Sequence, residues 1–312
     1  MSIAGPRPSG AGRHDAAPRR ARPDNRPVSV EHYENFPVAS WLCPPALRAP
    51  VTALYHFART ADDLADEGNA PAAQRLAALA RYRAALHDAA AGHVDPQAWP
   101  GVFGPLATAL RAHDLPLPLL EALLDAFVQD CGNPVHPDRA ALLDYCRRSA
   151  NPVGRLVLHL AGVRDEAALE QSDAICSALQ LINFWQDPSV DLPRGRHYLP
   201  EADLRRHGLA RTDLRAGADS PATQALLREL CDWAGTLMRQ GAPLVHRVPG
   251  RLGWELRLVV QGGLRILETI AAMQYRTLGR RPVLRPLDAP LMLWRALRMR
   301  PALPAPAPGA AR

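Results

Sequence analysis

The sequence predicts an all-α protein built around a single domain. Apolar residues recur at helical spacing from Val30 to about residue 279, which is the pattern of amphipathic helices. Ala, Leu and Arg dominate, aromatic residues make up only 5%, and β-branched runs are short, so the intrinsic propensities also favour helix. A length of 312 residues with 47% hydrophobic content fits one domain with an ordinary core and two tails.

The tails and the domain differ in composition. Residues 1–28 are rich in Pro, Gly, Ala and Arg, so we expect a disordered basic tail, followed by a helical domain over 29–287 and a basic, Pro-rich tail over 288–312. Pro45 and Pro50 are expected at helix starts rather than inside a helix, and Gly262 and Gly263 are expected to mark close helix packing. Helices are predicted, in chain order, at 36–42, 50–67, 70–90, 103–113, 116–131, 138–163, 166–192, 221–241 and 250–279.

The charge distribution and the residue inventory exclude several function classes. Residues 1–28 carry a charge of +4 and residues 280–312 carry +6, so the net charge of +6 leaves −4 for residues 29–279. Because the positive charge lies in the tails and not in the predicted domain, the sequence argues against nucleic-acid binding. All 37 basic residues are Arg, so a phosphate-loop or Schiff-base lysine is excluded. The five cysteines lack zinc-ligand spacing and are expected to be reduced. Without a signal peptide or a long apolar run, we expect a cytoplasmic protein.

A first polar motif lies on the predicted helix 50–67. Tyr55, Arg59, Asp62 and Asp66 stand at i, i+4, i+7 and i+11, and therefore on one stripe of the helix. Two buried carboxylates at this spacing repel each other unless a cation binds between them. Taken alone, the motif fits a solvated acidic helix end better.

A second motif repeats this geometry further along the chain. Gln180, Asn183, Asp187 and Asp191 are spaced i, i+3, i+7 and i+11 among bulky apolar residues. Two such helices facing each other would line a cavity with hard oxygen ligands that suit Mg²⁺. Pro188 lacks an N–H, so either the helix kinks between the two aspartates or Asp191 is displaced.

The motifs resemble the squalene/phytoene synthase family over about residues 30–280. The resemblance is carried by the two acidic helices, the segment 145–155 and the segment 194–200. The segments 34–40 and 183–187 look most like the bacterial hydroxysqualene synthase branch, which is associated with hopanoid pathways. The resemblance implies the class I isoprenoid synthase fold, a helical bundle around a central cavity.

The resemblance also implies roles for particular residues. The magnesium ligands would be Asp62, Asp66, Asp187 and Asp191. The catalytic side chains lining the site would be Tyr55, Tyr145 and Asn183. The substrate-binding residues would be Arg59, Gln180, Arg196, Phe36, Val153 and Phe184. Each of the last group's three apolar residues fits ordinary core packing at least as well.

The reaction implied by the resemblance is the magnesium-dependent ionisation of presqualene diphosphate, with water quenching the cation to give hydroxysqualene. NADPH is not expected, because a cation trapped by water needs no hydride. The polar residues Arg148, Ser149 and Asn151 stand where many relatives lack them, and they favour a hydroxylated product. The near alternative is a farnesyl diphosphate farnesyltransferase making presqualene diphosphate or squalene. A class I terpene cyclase is more distant.

An alternative of another class is a non-catalytic helical scaffold or assembly factor, against which the intact carboxylates argue. The expected partners are a prenyl diphosphate and other enzymes of the squalene pathway. The segment 291–299 mixes large apolar side chains with Arg, which predicts peripheral contact with the inner face of the membrane. A solvated, disordered C-terminal tail is an equally good interpretation of that segment.

Overall fold

The helical architecture is seen directly in a computed structural model that describes residues 42–66 and 70–300. The described residues contain no β-strand, and the predicted all-α fold is confirmed. The helices of these ranges are α1 Pro45–Asp66, α2 Ala72–Ala90, α3 Phe103–His113, α4 Leu117–Asp130, α5 Arg139–Ser149, α6 Asn151–Leu160, α7 Glu166–Gln186, α8 Pro188–Asp191, α9 Glu201–Arg206, α10 Pro221–Gly241, α11 Gly250–Ala272 and α12 Ala289–Arg298.

Three helices begin at residues whose side chains cap them. Asp138 precedes α5, Asp165 precedes α7 and Ser220 precedes α10. Each side chain accepts a hydrogen bond from the backbone N–H three residues later, at 2.9, 3.0 and 3.2 Å respectively. Such bonds satisfy N–H groups that the first helical turn leaves without an intrahelical acceptor. All three helices begin within one residue of the predicted starts at 138, 166 and 221.

Proline residues account for two departures from the predicted helices. Helix α1 begins at Pro45 and contains Pro50, so the expectation that Pro50 begins a helix was wrong. The buried Pro50 is the sixth residue of α1, so it cannot donate the hydrogen bond that the helix would otherwise direct to the Ala46 carbonyl. The helix predicted over 138–163 is divided at Ala150, because Pro152 cannot donate to the preceding turn and is accommodated in the first turn of α6.

Other predicted boundaries also changed. Helix α11 ends at Ala272 rather than at 279, and Gln274 and Tyr275 then adopt φ of 55° and 58°, which a helix cannot continue through. The short α9 was not predicted, and α12 lies within the segment 288–312 predicted as a tail. Apart from Leu42, the helix predicted at 36–42 lies outside the described residues.

The core consists of two apolar clusters, and α6 contributes to both. Helices α1 to α4 enclose the first cluster, which includes Phe57 and Tyr82. Helices α5, α7, α10 and α11 enclose the second, which includes Trp185. Leu156 belongs to the first cluster and Leu158 to the second. The acidic motif of α1 and the acidic motif of α7 and α8 are therefore attached to different clusters and meet where the clusters adjoin.

All five cysteines are free thiols within the described residues, and each is buried or partly buried. Their reduced state in the cell stays a prediction. Close packing at the predicted glycine pair is confirmed for Gly263. A Cβ at that position would lie 2.7 Å from Met238 Cε, whereas a Cβ at Gly262 would meet Met292 Cε at 3.5 Å. The two neighbouring glycines thus differ in how much space surrounds them.

Gly241, at the end of α10, is the point of closest approach to α7. A Cβ there would lie 2.5 Å from the Gln171 carbonyl oxygen and 2.6 Å from Ile175 Cγ1. Because backbone must then move, Gly241→Ala is expected to lower the free energy of unfolding by about 2–3 kcal/mol. The matched control is Gly262→Ala, expected to be neutral or to stabilise by up to about 1 kcal/mol through helix propensity. Equal losses in urea unfolding of both variants would contradict this packing.

Candidate functional site

Helix α1 carries the first acidic motif on a partly buried face. Arg59 donates to Asp62, with 3.1 Å between Nη1 and Oδ2, and forms an ion pair of 2.6 Å with Asp63. The side chains of Asp62 and Asp63 are exposed to a similar extent. Arg59 therefore reaches both carboxylates from one turn earlier.

Arg196 connects the first motif to the segment that follows α8. Its Nη2 lies 2.7 Å from Asp66 Oδ2, and its backbone N–H donates to the Asp191 carbonyl at 3.0 Å. The chain reverses at Gly195, whose φ of 73° suits a residue without a Cβ. The guanidinium predicted to bind diphosphate therefore lies between the two acidic motifs.

Pro188 interrupts the second motif without turning Asp191 away. Helix α7 ends at Gln186, and Asp187 forms its C-terminal boundary before the short helix α8. The Asp191 N–H donates to the Asp187 carbonyl at 2.9 Å. Asp191 and Arg196 line the same pocket. The Asp187 side chain is instead held by Arg281, which donates to both of its oxygens.

Asp130 is a fifth acidic residue at the site, and the sequence motifs did not include it. It ends α4 and accepts a hydrogen bond of 2.9 Å from the hydroxyl of the buried Tyr145 on α5. Its other oxygen, Oδ1, is buried and lacks a hydrogen-bond partner among the described residues. A usable signal was the position itself, because a carboxylate in the last turn opposes the helix dipole and requires compensation elsewhere.

An aromatic wall adjoins these acids. The rings of Phe184 and Tyr198 stack with centroids 3.7 Å apart, and Tyr145 lies beside Phe184 at 6.1 Å. Tyr198 lies in the segment 194–200, and the sequence predicted no role for it at the site. Phe184 and Tyr198 also line the pocket that contains Asp191. The pocket therefore places an aromatic surface beside a carboxylate and a guanidinium.

Burial and mutual repulsion raise the pKa of three carboxyl groups to about 7: Asp62, Asp130 and Asp191. Burial is the largest cause in each case. The next largest is Asp66 for Asp62 and Asp187 for Asp191, and the Asp130 carboxyl also feels Asp66. Arg196 opposes the shift in all three. These acids therefore share one electrostatic field, although they come from α1, α4 and α8.

The donor chemistry of this field fits a hard divalent cation. Carboxylate oxygens are ligands that Mg²⁺ prefers in proteins. The raised pKa values of Asp62, Asp130 and Asp191, and the Asp130 Oδ1 atom without a hydrogen-bond partner among the described residues, indicate that added negative charge is unfavourable here. Arg196 lowers the pKa of all three groups. The described residues do not assemble three or more His, Cys, Asp or Glu side chains into a ready metal-binding group. A cation that keeps several waters and shares phosphate oxygens needs no such group.

Comparisons with known proteins relate this geometry to a family. A sequence model of squalene/phytoene synthases matches residues 30–288. The chain belongs to the squalene/phytoene synthase family. It is 38% identical to a hydroxysqualene synthase of Zymomonas mobilis, covering 72% of this chain and 75% of that protein. It is 30% identical to a presqualene diphosphate synthase of the same organism, covering 71% and 75% respectively.

A solved structure extends the similarity to the fold. The squalene synthase HpnC from Alicyclobacillus acidocaldarius is 37% identical, with a TM-score of 0.72, covering 78% of this chain and 90% of that one. The predicted isoprenoid synthase fold is thereby confirmed, and the chain is an enzyme of the squalene synthase type. Among the described helices, none has the length and hydropathy needed to cross a membrane.

The other residues assigned through the family resemblance are distributed over three helices. Tyr55 is buried on α1, Val153 is partly buried on α6, and Gln180 and Asn183 are partly buried on α7. The Asn183 carbonyl accepts the Asp187 N–H at 2.9 Å. These four roles stay predictions. Phe36 lies outside the described residues.

Two of the polar residues taken to favour a hydroxylated product are engaged locally. Arg148 donates to Asp144 at 3.1 Å, and the Asn151 amide is hydrogen-bonded to Ser177 Oγ at 2.9 Å. Local partners satisfy both side chains, so they do not by themselves indicate a bound water.

The raised pKa of Asp62 predicts a pH-dependent effect of Asp62→Asn. The folded protein keeps the Asp62 proton that the unfolded chain releases near pH 4, so ionising this group destabilises the fold as pH rises toward 7. We expect Asp62→Asn to stabilise the metal-free protein by about 1–2 kcal/mol at pH 8 and by much less at pH 5. Thermal melts at both pH values test this. Equal increases in melting temperature at pH 5 and pH 8 would show that ionisation of Asp62 does not destabilise the fold.

Proposed function

We propose that this enzyme ionises presqualene diphosphate with the help of Mg²⁺ and quenches the cation with water, giving hydroxysqualene in a squalene or hopanoid pathway. The observation that carries the proposal is the group of partly buried carboxylates from α1, α4 and α8 that interact with one another and with Arg196. Burial and mutual repulsion make ionisation of these carboxyl groups unfavourable in the metal-free fold, whereas bound cations would stabilise their ionised forms.

The residues proposed to hold magnesium are Asp62, Asp66, Asp187 and Asp191. When bound, Mg²⁺ supplies neutralisation of the negative charge that grows on the departing diphosphate. Arg196 would exchange its ion pair with Asp66 for phosphate oxygens, and Arg59 would do the same from its pairs with Asp62 and Asp63. Both exchanges leave aspartates free to face the cations, so substrate and metal binding support each other.

The aromatic wall would exclude bulk water from the carbocation. Phe184 and Tyr198 present stacked rings to the pocket, and an apolar wall gives stray nucleophiles no hydrogen bond. One water must nevertheless reach the cation and lose a proton when the alcohol forms. The buried Asp130 Oδ1 has the acceptor capacity and a suitable pKa for that proton, while Tyr145, whose pKa is raised by burial, stays a donor to Asp130.

The choice of presqualene diphosphate is supported by the comparison within one organism. The chain is more similar to the hydroxysqualene synthase of Zymomonas mobilis, at 38%, than to its presqualene diphosphate synthase, at 30%. The latter similarity supports the second candidate, in which two farnesyl diphosphates are coupled to presqualene diphosphate or squalene. No NADPH is required for the proposed reaction, since the carbocation reacts with water and not with a hydride donor.

Product analysis separates the two candidates. The enzyme is incubated with presqualene diphosphate or with farnesyl diphosphate, each with Mg²⁺ and each with and without NADPH, and the products are identified by mass spectrometry. The proposal expects hydroxysqualene from presqualene diphosphate in both nucleotide conditions and no product from farnesyl diphosphate alone. Presqualene diphosphate made from farnesyl diphosphate, or squalene made only with NADPH, would support the alternative. We further propose that the enzyme works in the cytoplasm, next to other enzymes of the squalene pathway.

A further inference from the structure

Helix α12 presents a row of large apolar side chains to solvent. Leu293, Trp294 and Leu297 are 52%, 50% and 61% exposed, and Leu287 just before the helix is 87% exposed. Positions 293, 294 and 297 share one helical face. Together with Leu287 they form what we call the α12 face. Contiguous exposed residues of this size on a soluble fold mark an interaction surface rather than core.

The orientation of this face is fixed by packing on the other side of the helix. Ala296 is buried against the domain, and Arg257 of α11 donates to the carbonyls of Ala296 at 3.2 Å and Met299 at 2.8 Å. Arg295 pairs with Glu268 of α11 at 2.5 Å. The inner side of α12 is thereby tied to α11, so the outward direction of the leucines and the tryptophan is a property of the folded domain.

The segment that carries the α12 face is cationic. Residues 280–300 contain six Arg and one acid, Asp288. Asp288 is buried and engaged by Arg265 at 2.8 Å and by the Arg285 N–H at 2.7 Å. Arg285, Arg298 and Arg300 are exposed. Within this described segment, an approaching surface therefore meets apolar side chains and positive charge without an exposed carboxylate.

We propose that the α12 face docks on an anionic phospholipid bilayer, with the helix lying in the interface plane. A lipid surface binds a helix that has apolar side chains on one side and arginines at its flanks. The apolar side chains are buried among the acyl chains, and the arginines are attracted to anionic headgroups. The Arg298 guanidinium lies 4.3 Å from the Trp294 ring centroid, and an amphipathic tryptophan beside a cation suits the headgroup level.

A second copy of the chain is a poorer occupant than a bilayer. A two-fold dimer through the α12 face would bring the same residues of both copies together. Arg285, Arg298 and Arg300 would then face like charges, and no exposed acid of residues 280–300 would compensate them. An anionic bilayer supplies both the opposite charge and the apolar phase. The proposal rests on the α12 face and not on the reaction.

Vesicle co-sedimentation of the full chain tests the proposal. The vesicles are pure phosphatidylcholine or phosphatidylcholine with 30% phosphatidylglycerol, at low salt and at about 0.5 M salt, where exposed charges are strongly screened. The test variant is Leu293→Glu/Leu297→Glu, and the matched control is Leu76→Glu, an exposed leucine on α2. Thermal melts of all proteins establish that these surface changes leave the fold intact.

The wild type and Leu76→Glu are expected to bind the anionic vesicles at low salt and to be released at high salt. The double variant is expected to partition on the order of 10²-fold less, because it loses two apolar contacts and adds two negative charges. The proposal is overturned if the wild type ignores anionic vesicles, if the double variant binds like the control, or if binding to pure phosphatidylcholine is equally strong. A dimer in sedimentation velocity that only the double variant abolishes, without vesicle binding, would assign the face to a second copy instead.

Discussion

Replacing Asp62 or Asp187 by Asn is expected to slow magnesium-dependent release of diphosphate from presqualene diphosphate by about 10²- to 10³-fold. The substitution keeps the size of the side chain and removes one negative charge from a proposed cation ligand. Because transition-state stabilisation here consists of neutralising the leaving diphosphate, a lost ligand charge acts mainly on the rate. The fold of Asp62→Asn should persist, since the substitution relieves repulsion with Asp66 and leaves a side-chain oxygen that can accept from Arg59.

The matched control is Asp144→Asn on α5, an exposed aspartate that pairs with Arg147 and Arg148 at 3.0 and 3.1 Å. It makes the same chemical change outside the shared field and should release diphosphate at the parental rate. Asp63→Asn is a second comparison, and its effect should be smaller than that of Asp62→Asn because Arg59 retains its contact with Asp62. Parental rates for both Asp62→Asn and Asp187→Asn would show that the metal assignment is wrong.

Replacing Arg196, whose guanidinium interacts with the acidic residues of the site, is expected to have the second large effect. Arg196→Gln takes away the partner of Asp66 and the group that lowers the pKa of Asp62, Asp130 and Asp191. A partly buried carboxylate left without its cation is costly, so we expect a loss of about 1–3 kcal/mol at pH 8 in the metal-free protein. Added Mg²⁺ should restore part of this stability, because it supplies positive charge to the same carboxylates.

Activity should separate the charge of Arg196 from its shape. Arg196→Gln is expected to lower diphosphate release by about 10²-fold or more, and Arg196→Lys should recover most of the stability but only part of the rate, since lysine cannot bind phosphate in a bidentate manner. Arg205→Gln, at an exposed site 4.0 Å from Glu201, is the control and should match the wild type. If Arg196→Gln kept both the stability and the rate, Arg196 would be neither a partner of the acids nor a phosphate contact.

The two acidic motifs were predictable because each lies on consecutive turns of helix, where spacing alone places side chains on one stripe. The same local logic predicted the capped starts of α5, α7 and α10. Proline effects were predicted only in part. Pro188 was recognised as an interruption, but the break before Pro152 and the tolerance of Pro50 depend on what the neighbouring helices bury, and this is not written in local sequence.

The contacts that complete the site join residues far apart in the chain. Arg281 donates a hydrogen bond to Asp187, which lies 94 residues earlier in the chain. Arg196, in the segment after α8, pairs with Asp66 at the end of α1. Asp130 carries no neighbouring acid at helical spacing, so only the packing of α4 against α5 brings it to Tyr145. The composition of the two motifs was therefore predictable, whereas the contact of Arg196 with Asp66 and that of Tyr145 with Asp130 became apparent only from tertiary structure.

The most direct test of the proposed reaction is to follow the oxygen of the product. Presqualene diphosphate is incubated with the enzyme and Mg²⁺ in H₂¹⁸O, and the released diphosphate and the C30 product are measured together. We predict one diphosphate and one hydroxysqualene carrying one ¹⁸O for each substrate consumed, because the C–O bond to diphosphate breaks and water forms the new C–O bond. A product without the label, or consumption of farnesyl diphosphate instead of presqualene diphosphate, would contradict the proposed function.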